Sequence, residues 1–340
     1  MEFKSIVVNG PNEHGFQQTI RQPIDEDQVR VRVAAVAFCG TDFKLMHGLL
    51  HDASYPVTPG HEWSGHVIEA PGAPELMGAL VVASIYLPCG ACTWCRTDNA
   101  QHCEALDEVG FTLPGGCAEE IVVPRSNVRA VPHGIAPEAA CLLEPLTIAV
   151  HAVDRAPAMN GQSVAVLGAG AVGLLLLQLI QAAGGHCTVV EPLPGRRSLA
   201  KKLGAHTALE SEALPQSSFE VVFDATGSPT SFGEGLGLLA PLGTLLLVGY
   251  SGDLVLPFAP SRLMLKEATV RGVLSGVGTL DRAIESAASG EVDLDCLIAA
   301  PIPIEEYSTL LVASQDVAPR QPMIFELFRK ENSLAGSKIS

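Results

Sequence analysis

Two hydrophobic rhythms divide the chain. In the first part, short apolar runs, VRVRVAAVAF (29–38), GALVVASIYL (78–87) and AEEIVVP (118–124), are separated by proline and glycine signals. This pattern predicts a compact β-rich domain over residues 1–145. From 146 to 282 the rhythm changes, and SVAVLGAG (163–170), HCTVVEP (186–192), EVVFDATG (220–227) and GTLLLVGY (243–250) read as buried strands separated by segments of helical spacing. Strands that alternate with helices predict an α/β domain with a doubly wound parallel sheet, covered on both faces. In the last part, 283–340, which begins inside the amphipathic segment LDRAIESAASG (280–290), a strand-like AAPIPIEEY (299–307) is expected to return to the first domain. The polar end RKENSLAGSKIS (329–340) is expected to fray.

The longest apolar stretch, residues 163–180, is long enough to raise the question of a membrane span. Its β-rich start is broken by glycines, so it reads as a buried strand turning into a helix, and no membrane-spanning segment is expected. The N-terminal MEFKSIVVNG lacks the charged region and long apolar run of a signal peptide, which points to a cytoplasmic protein.

Composition sharpens this picture. A chain of 340 residues, 47% hydrophobic and 17% charged, has enough apolar material for two cores. Lys and Arg number 21 against 37 acids, a net charge of −16 that opposes a polyanion and argues against nucleic acid or an anionic membrane as partner.

The densest chemistry is the run Cys89, Cys92, Cys95, Cys103 in LPCGACTWCRTDNAQHC. Four soft thiolates on one loop fill a tetrahedral zinc shell and leave no position for substrate, so residues 86–106 read as a structural zinc lobe. A disulfide cluster would need an oxidising compartment and suits a much shorter chain. Cys117, Cys141, Cys187 and Cys296 sit among apolar neighbours and read as buried thiols.

In the second domain Gly168, Gly170 and Gly173 form G-x-G-x-x-G between a strand and a helix. The first permits a tight turn, the second lets the backbone approach a pyrophosphate, and the third lets helix and strand pack closely. Glu191 ends the next strand, where a carboxylate accepts the adenosine ribose hydroxyls and opposes a 2′-phosphate, which favours NAD over NADP. Arg196 and Arg197 leave NADP open, unless they lie on the solvated face of the following helix, the reading we favour. Thr226, in the loop Asp224–Gly227, falls at a strand end where the nicotinamide half should lie.

A second metal site can be assembled from scattered residues: Cys39 in CGTD, His61 and Glu62 in PGHEWSGH, and Glu144 in LLEPL. Sulfur, nitrogen and oxygen donors drawn from separate loops suit a catalytic zinc with an open position. His66 would join them only in a helical segment, which PGHEWSG does not suggest, while His47 and Trp63 could line a cleft, pack in the core or lie at the surface.

The order CGTD, PGHEWSG, the four-cysteine run, LEPL, GAGAVG and VVEP strongly resembles the zinc-dependent medium-chain alcohol and polyol dehydrogenases over nearly the whole chain. The resemblance implies a GroES-like catalytic domain, a Rossmann domain, two zincs per chain, NAD, and a homodimer or homotetramer. It implies that Cys39, His61 and Glu144 hold the catalytic zinc, Glu144 directly or through water, with Glu62 as a carboxylate that exchanges with water. Asp42 would orient the histidine, and Thr41 would relay the substrate proton.

Alcohol dehydrogenases with two cysteine ligands have cysteine where Glu144 stands, and the carboxylate version is similar to sorbitol and related polyol dehydrogenases. Lys44 replaces the histidine that often serves as outer proton relay, and Ser275 lies near the place of the arginine that touches polyols in sorbitol dehydrogenases. YPVTPGHEWSG, DEVGFTLPGGCAEE and LLEPLTIAVHAVDRA more closely resemble 2-deoxy-scyllo-inosamine dehydrogenases, whose ammonium substrate the negative field would attract. The expected reaction is oxidation of a secondary hydroxyl on a small polyol, cyclitol or aminocyclitol, with linear polyols or L-threonine as alternatives. A zinc-free quinone reductase is opposed by the joint presence of Cys39, His61 and Glu144, and a non-catalytic zinc-binding scaffold by the intact ligand set and glycine fingerprint.

Overall fold

The computed structural model describes residues 2–50, 53–209, 214–250, 252, 255–256, 258–298, 300–308 and 323–326. Two large sheets organise the chain. The first is built around Gln28–Phe38, which pairs antiparallel with Glu62–Glu69, with Glu120–Pro124 and with Met323–Glu326. Leu80–Ala83 and Val128–Ala130 extend it beyond Glu62–Glu69. The alternation Val29, Val31, Val33 packs one face against Val67, Ile121 and Val123, while the unusual member is Arg30, buried and paired with Glu69 at 2.8 Å and with Glu120 at 3.7 Å.

The second sheet is parallel throughout, in the spatial order Thr207–Leu209, His186–Val190, Ser163–Leu167, Phe219–Asp224, Leu239–Leu247, Thr269–Gly272. In chain order this is 3-2-1-4-5-6, the doubly wound arrangement that the α/β rhythm predicted. The order reverses between Ser163–Leu167 and Phe219–Asp224, and in doubly wound sheets ligands bind beyond the carboxyl ends of the strands at such a switch point.

Helix Leu143–Arg155 joins the two halves. Leu146, Ala149 and Val150 pack in one core with Leu175, Ile180 and Ala283, and that core also takes in Ala35 and Ala37 of the first sheet. Glu144, near the start of this helix, is thereby carried to the junction. Tyr86–Leu87 and Asp107–Glu108 pair antiparallel and close the neck of the four-cysteine lobe.

The segment AAPIPIEEY differs from its strand reading. Among its described residues only Ile302–Pro303 is strand, and Ile304–Glu306 is a 3₁₀ turn, because prolines at 301 and 303 remove the amide donors a longer strand needs. The end 329–340 lies outside the described residues. No helix among the described residues is long and apolar enough to cross a membrane.

Candidate functional site

The motif CGTD starts a helix. Cys39 is the N-cap of Gly40–Met46: its sulfur accepts the Thr41 amide at 3.2 Å, and Asp42 reaches back to accept the Cys39 amide at 2.9 Å, a capping box with cysteine in place of serine. The other Asp42 oxygen accepts the Gly60 amide at 3.1 Å. With both oxygens anchored and no exposed surface, Asp42 is a fixed negative point beneath the next loop.

That loop carries His61. Its Nδ1 faces Asp42 Oδ1 at 3.3 Å, a long contact that leaves this buried nitrogen short of a well-aligned hydrogen bond. Its Nε2 points the other way, 3.3 Å from Cys39 Sγ and 4.0 Å from Glu62 Oε1. Gly60 makes this turn possible: its φ is +93°, and a Cβ there would lie 2.6 Å from Cys117 Sγ. Phe111 stacks on the imidazole with ring centroids 4.8 Å apart and shields it from water.

The donor atoms form two overlapping sets that share His61: Cys39, Asp42 and His61, and His61, Glu62 and Glu144, with the atoms of each set within 4.8 Å of one another. Burial is the largest influence on both Glu62 and Glu144; it pushes Glu62 well above the usual carboxylate range and Glu144 up to about 7. Burial alone would lower His61, but Asp42 and Cys39 overcome it and hold the imidazole well above its ordinary value. Burial also raises the Cys39 thiol. A buried knot of sulfur, imidazole and carboxylates, with Cys39, His61, Glu62 and Glu144 all shifted toward their protonated forms, is a donor set that fits a divalent cation such as zinc. Thr41 Oγ1 sits 3.0 Å from the Cys39 sulfur.

The four lobe cysteines converge as a separate set. Cys89 and Cys95 sulfurs are 3.9 Å apart and those of Cys92 and Cys95 3.5 Å. Backbone amides point at them: Cys89 donates to Cys103 Sγ at 3.2 Å, and Cys92 donates to Cys89 Sγ at 3.4 Å. Amides of Cys95 and Glu104 pull the Cys92 thiol down to about 6, while burial and the neighbouring cysteines push Cys95 up to about 12, so the four sulfurs share protons that a bound metal would displace. All nine cysteines are free. Cys117, Cys141 and Cys187 are buried as expected; Cys296 is only half-buried, its thiol facing the Asp293 carbonyl at 2.8 Å.

At the carboxyl end of Ser163–Leu167, Gly168 has φ +95° and a Cβ there would lie 2.6 Å from Thr226 Cγ2, while a Cβ on Gly173 would lie 2.0 Å from the Gly168 carbonyl. Gly170 differs. It is the N-cap of Ala171–Ala182 with no side-chain cap, and a Cβ there would meet nothing within 4 Å. Open space before uncapped helix amides fits a pyrophosphate. Thr226 is held by Asp224, whose Oδ1 accepts its amide at 2.9 Å and its hydroxyl at 2.7 Å.

Glu191 is buried, with Oε2 accepting the Ala169 amide at 2.8 Å and Oε1 the Leu193 amide at 2.9 Å. Arg196 and Arg197 depart from the solvated-face reading. Arg196 Nη1 lies 3.8 Å from Glu191 Oε2, and Arg197 donates to the Glu191 carbonyl at 2.7 Å, because helix Pro194–Lys202 starts close enough for its first turn to fold back. Trp63 belongs to the core, His47 Nδ1 meets the Phe43 carbonyl at 2.7 Å, and His66 lies at the surface near Gly78. Phe111 was not singled out in the sequence; an aromatic between the loop glycines of VGFTLPGG was its only signal.

Comparison with known proteins follows the same division. Residues 25–133 match the alcohol dehydrogenase GroES-like domain and residues 171–289 the zinc-binding dehydrogenase domain. An L-threonine 3-dehydrogenase of Caldanaerobacter subterraneus subsp. tengcongensis is 33% identical over 74% of this chain and 76% of its own length. The L-galactonate-5-dehydrogenase of Escherichia coli is 31% identical over 78% of this chain and 82% of its own. A zinc-binding dehydrogenase of Sinorhizobium meliloti, solved bound to NADP, superposes with a TM-score of 0.90 at 26% identity, covering 96% of this chain and 99% of that one. With a GroES-like domain and a Rossmann domain joined in one chain, this protein belongs to the zinc-dependent, NAD(P)-linked medium-chain alcohol dehydrogenases.

Proposed function

We propose that the enzyme oxidises a secondary hydroxyl of a small polyhydroxylated or amino alcohol, a polyol, cyclitol or aminocyclitol of the 2-deoxy-scyllo-inosamine kind, to a ketone. In this reading residues 1–145 with 283–340 carry the metal chemistry and 146–282 hold the cofactor. The observation that carries it is the carboxylate-rich donor set, in which His61 shares its surroundings with Glu62 and Glu144 as well as Cys39. Cys39, His61 and Glu144 would hold the catalytic zinc, with Glu62 in reserve, and Cys89, Cys92, Cys95 and Cys103 the structural one. When bound, the zinc acts as a Lewis acid toward the substrate hydroxyl and the nicotinamide takes up hydride.

The residues divide the remaining work. Asp42, anchored by two amides, fixes the ring and the protonated nitrogen of His61. Thr41 Oγ1, beside the Cys39 sulfur, takes the substrate proton and passes it outward. A cavity of about 10 Å³ against Tyr86, Glu144 and Thr147 has room for one water, which supports a carboxylate that acts partly through water. Gly168, Gly170, Gly173 and Thr226 cradle the dinucleotide, and Glu191 holds the adenosine ribose. Arg196 beside Glu191 supports use of NADP as well as NAD.

L-threonine, with a hydroxyl beside an amine, falls in the same chemical class and is favoured by the 33% identical relative. A screen of cyclitols, aminocyclitols, linear polyols and L-threonine for NAD reduction tests the reading. No turnover of any member overturns it. We also propose a homodimer or homotetramer: Thr269–Gly272 is a sheet edge flanked by the exposed Leu265 and Leu274, to be read by light scattering.

A further inference from the structure

The two halves meet in two different ways. Around helix Leu143–Arg155 the junction is a continuous apolar core, which cannot open without exposing Leu146, Val150 and Leu175 to water. Outside that core the halves also meet through the Arg129–Asp281 ion pair at 2.6 Å and through Lys44 and Tyr250. Lys44 lies on the helix that Cys39 caps, and Tyr250 follows the strand Leu239–Leu247. Across a separation of 206 residues the Lys44 ammonium donates to the Tyr250 carbonyl at 3.0 Å and stands 4.5 Å from the centre of its ring.

Each partner is tied to machinery already described. The Lys44 helix begins with Cys39, Thr41 and Asp42. On the other side, Gly249 is fixed by the Asp224 carbonyl, which accepts its amide at 2.9 Å, and is packed so tightly on Thr226 and Gly227 that a Cβ at 249 would lie 2.3 Å from the Gly227 nitrogen. A displacement of Tyr250 therefore moves with the loop that ends Phe219–Asp224. The contact is polar and its tyrosine is 54% exposed, so it can break and reform without uncovering a core.

We propose that Lys44 and Tyr250 form a latch across the cofactor cleft, whose closure holds the Cys39 helix in register with the Thr226–Gly227 loop and retains the dinucleotide. This rests on the dehydrogenase reading above. Lys44 is a positioning residue: its ammonium is committed to a carbonyl and a ring on the far side of the cleft, in place of a proton path from Thr41. Cation and ring must both be present for full closure, since the carbonyl binds the charge and the ring covers it.

The test compares Lys44→Met, Lys44→Arg and Tyr250→Ala with the wild type, all zinc-loaded. Stopped-flow release of NADH should be about tenfold faster in Lys44→Met, the low end for losing a charged hydrogen bond at an exposed, solvent-screened site. Tyr250→Ala, which keeps the carbonyl, should fall between, and Lys44→Arg, which keeps a cation able to donate and to sit over the ring in a different geometry, should release NADH more slowly than Lys44→Met. Zinc content should not change. Hydrogen exchange of residues 40–47 and 248–250 without cofactor supplies a readout independent of activity, and it should quicken in Lys44→Met. Release within twofold of wild type in Lys44→Met, or unchanged exchange, overturns the latch. If the wild type binds no dinucleotide the dehydrogenase reading fails, and the exchange arm still decides whether the two residues clamp the halves together.

Discussion

Cys39 Sγ lies 3.3 Å from His61 Nε2, and the opposite ring nitrogen faces Asp42 at 3.3 Å. One imidazole is thus held between a soft donor and a fixed carboxylate, Glu62 Oε1 lies 4.0 Å from the same nitrogen as the sulfur, and Glu144 joins His61 and Glu62 in a second donor set. Zinc binding follows from this arrangement in an ordered way. Metal analysis should return two zincs per chain, and mild chelation should remove the mixed site before the four-cysteine lobe, because the mixed site is open and only partly sulfur. Activity should vanish while circular dichroism persists. A single zinc with full activity, or normal turnover by His61→Ala, would contradict the assignment.

Acid should compete with zinc at this site. Burial raises Glu144 to about 7, and His61 also lies above its ordinary value, so both carry protons that the metal must displace. Apparent zinc affinity, measured against a competing chelator, should fall as pH drops through about 7, by up to tenfold per unit for each linked proton. The metal-free chain should behave in the opposite sense. Folded Glu144 holds a proton that the unfolded chain releases, so its contribution to stability is present below the ordinary glutamate value of 4.5 and is lost as pH rises toward about 7. A shallower zinc profile in Glu144→Gln than in the wild type, with the His61 and Cys39 protons still to be displaced, would identify this carboxyl as a contributor, whereas identical slopes would remove it.

Glu191 should set cofactor choice. Both its oxygens already accept amides, and each ribose hydrogen bond added to such a carboxylate is worth roughly 1.5–3 kcal/mol. Glu191→Ser should lower kcat/KM for NAD by about tenfold or more and raise it for NADP, with Arg196 supplying the counter-charge. Addition of Arg196→Ala to that variant should reverse the gain for NADP. A wild type that prefers NADP would show that the carboxylate does not govern the choice.

Much of the site was legible because its pieces are local. CGTD contains its own capping box, GAGAVG its own turn, and the four cysteines share one loop, so spacing along the chain stands in for distance in space. What stayed hidden was decided by contacts between distant segments. Nothing near residue 44 announces Tyr250, and nothing near residue 61 announces Phe111. The place of Arg196 beside Glu191 was open in the sequence because helical spacing gives the face of a side chain but not how closely the first turn approaches the preceding strand. AAPIPIEEY returns to the first sheet through Ile302–Pro303, and its strand is short because its prolines lack the amide donors a longer one needs.

Thr41 should matter to rate rather than to binding. Thr41→Ala removes the hydroxyl 3.0 Å from the Cys39 sulfur and should lower kcat by about 100-fold, with a smaller change in KM, and the loss should lessen at high pH where the substrate proton leaves more readily. An unchanged kcat would take the hydroxyl out of the proton path.

The central claim concerns the carboxylates around His61. If Glu62 and Glu144 leave room for two substrate groups, then adjacent hydroxyls, or a hydroxyl beside an amine, fix the reacting C–H, and a simple primary alcohol lacks that second anchor. The direct measurement is kcat/KM with NAD for the best vicinal polyol or amino alcohol against ethanol on the same zinc-loaded enzyme. The account predicts a ratio of roughly 100 or more in favour of the vicinal substrate, the scale of one well-placed polar contact. Comparable values for the two substrates would contradict it.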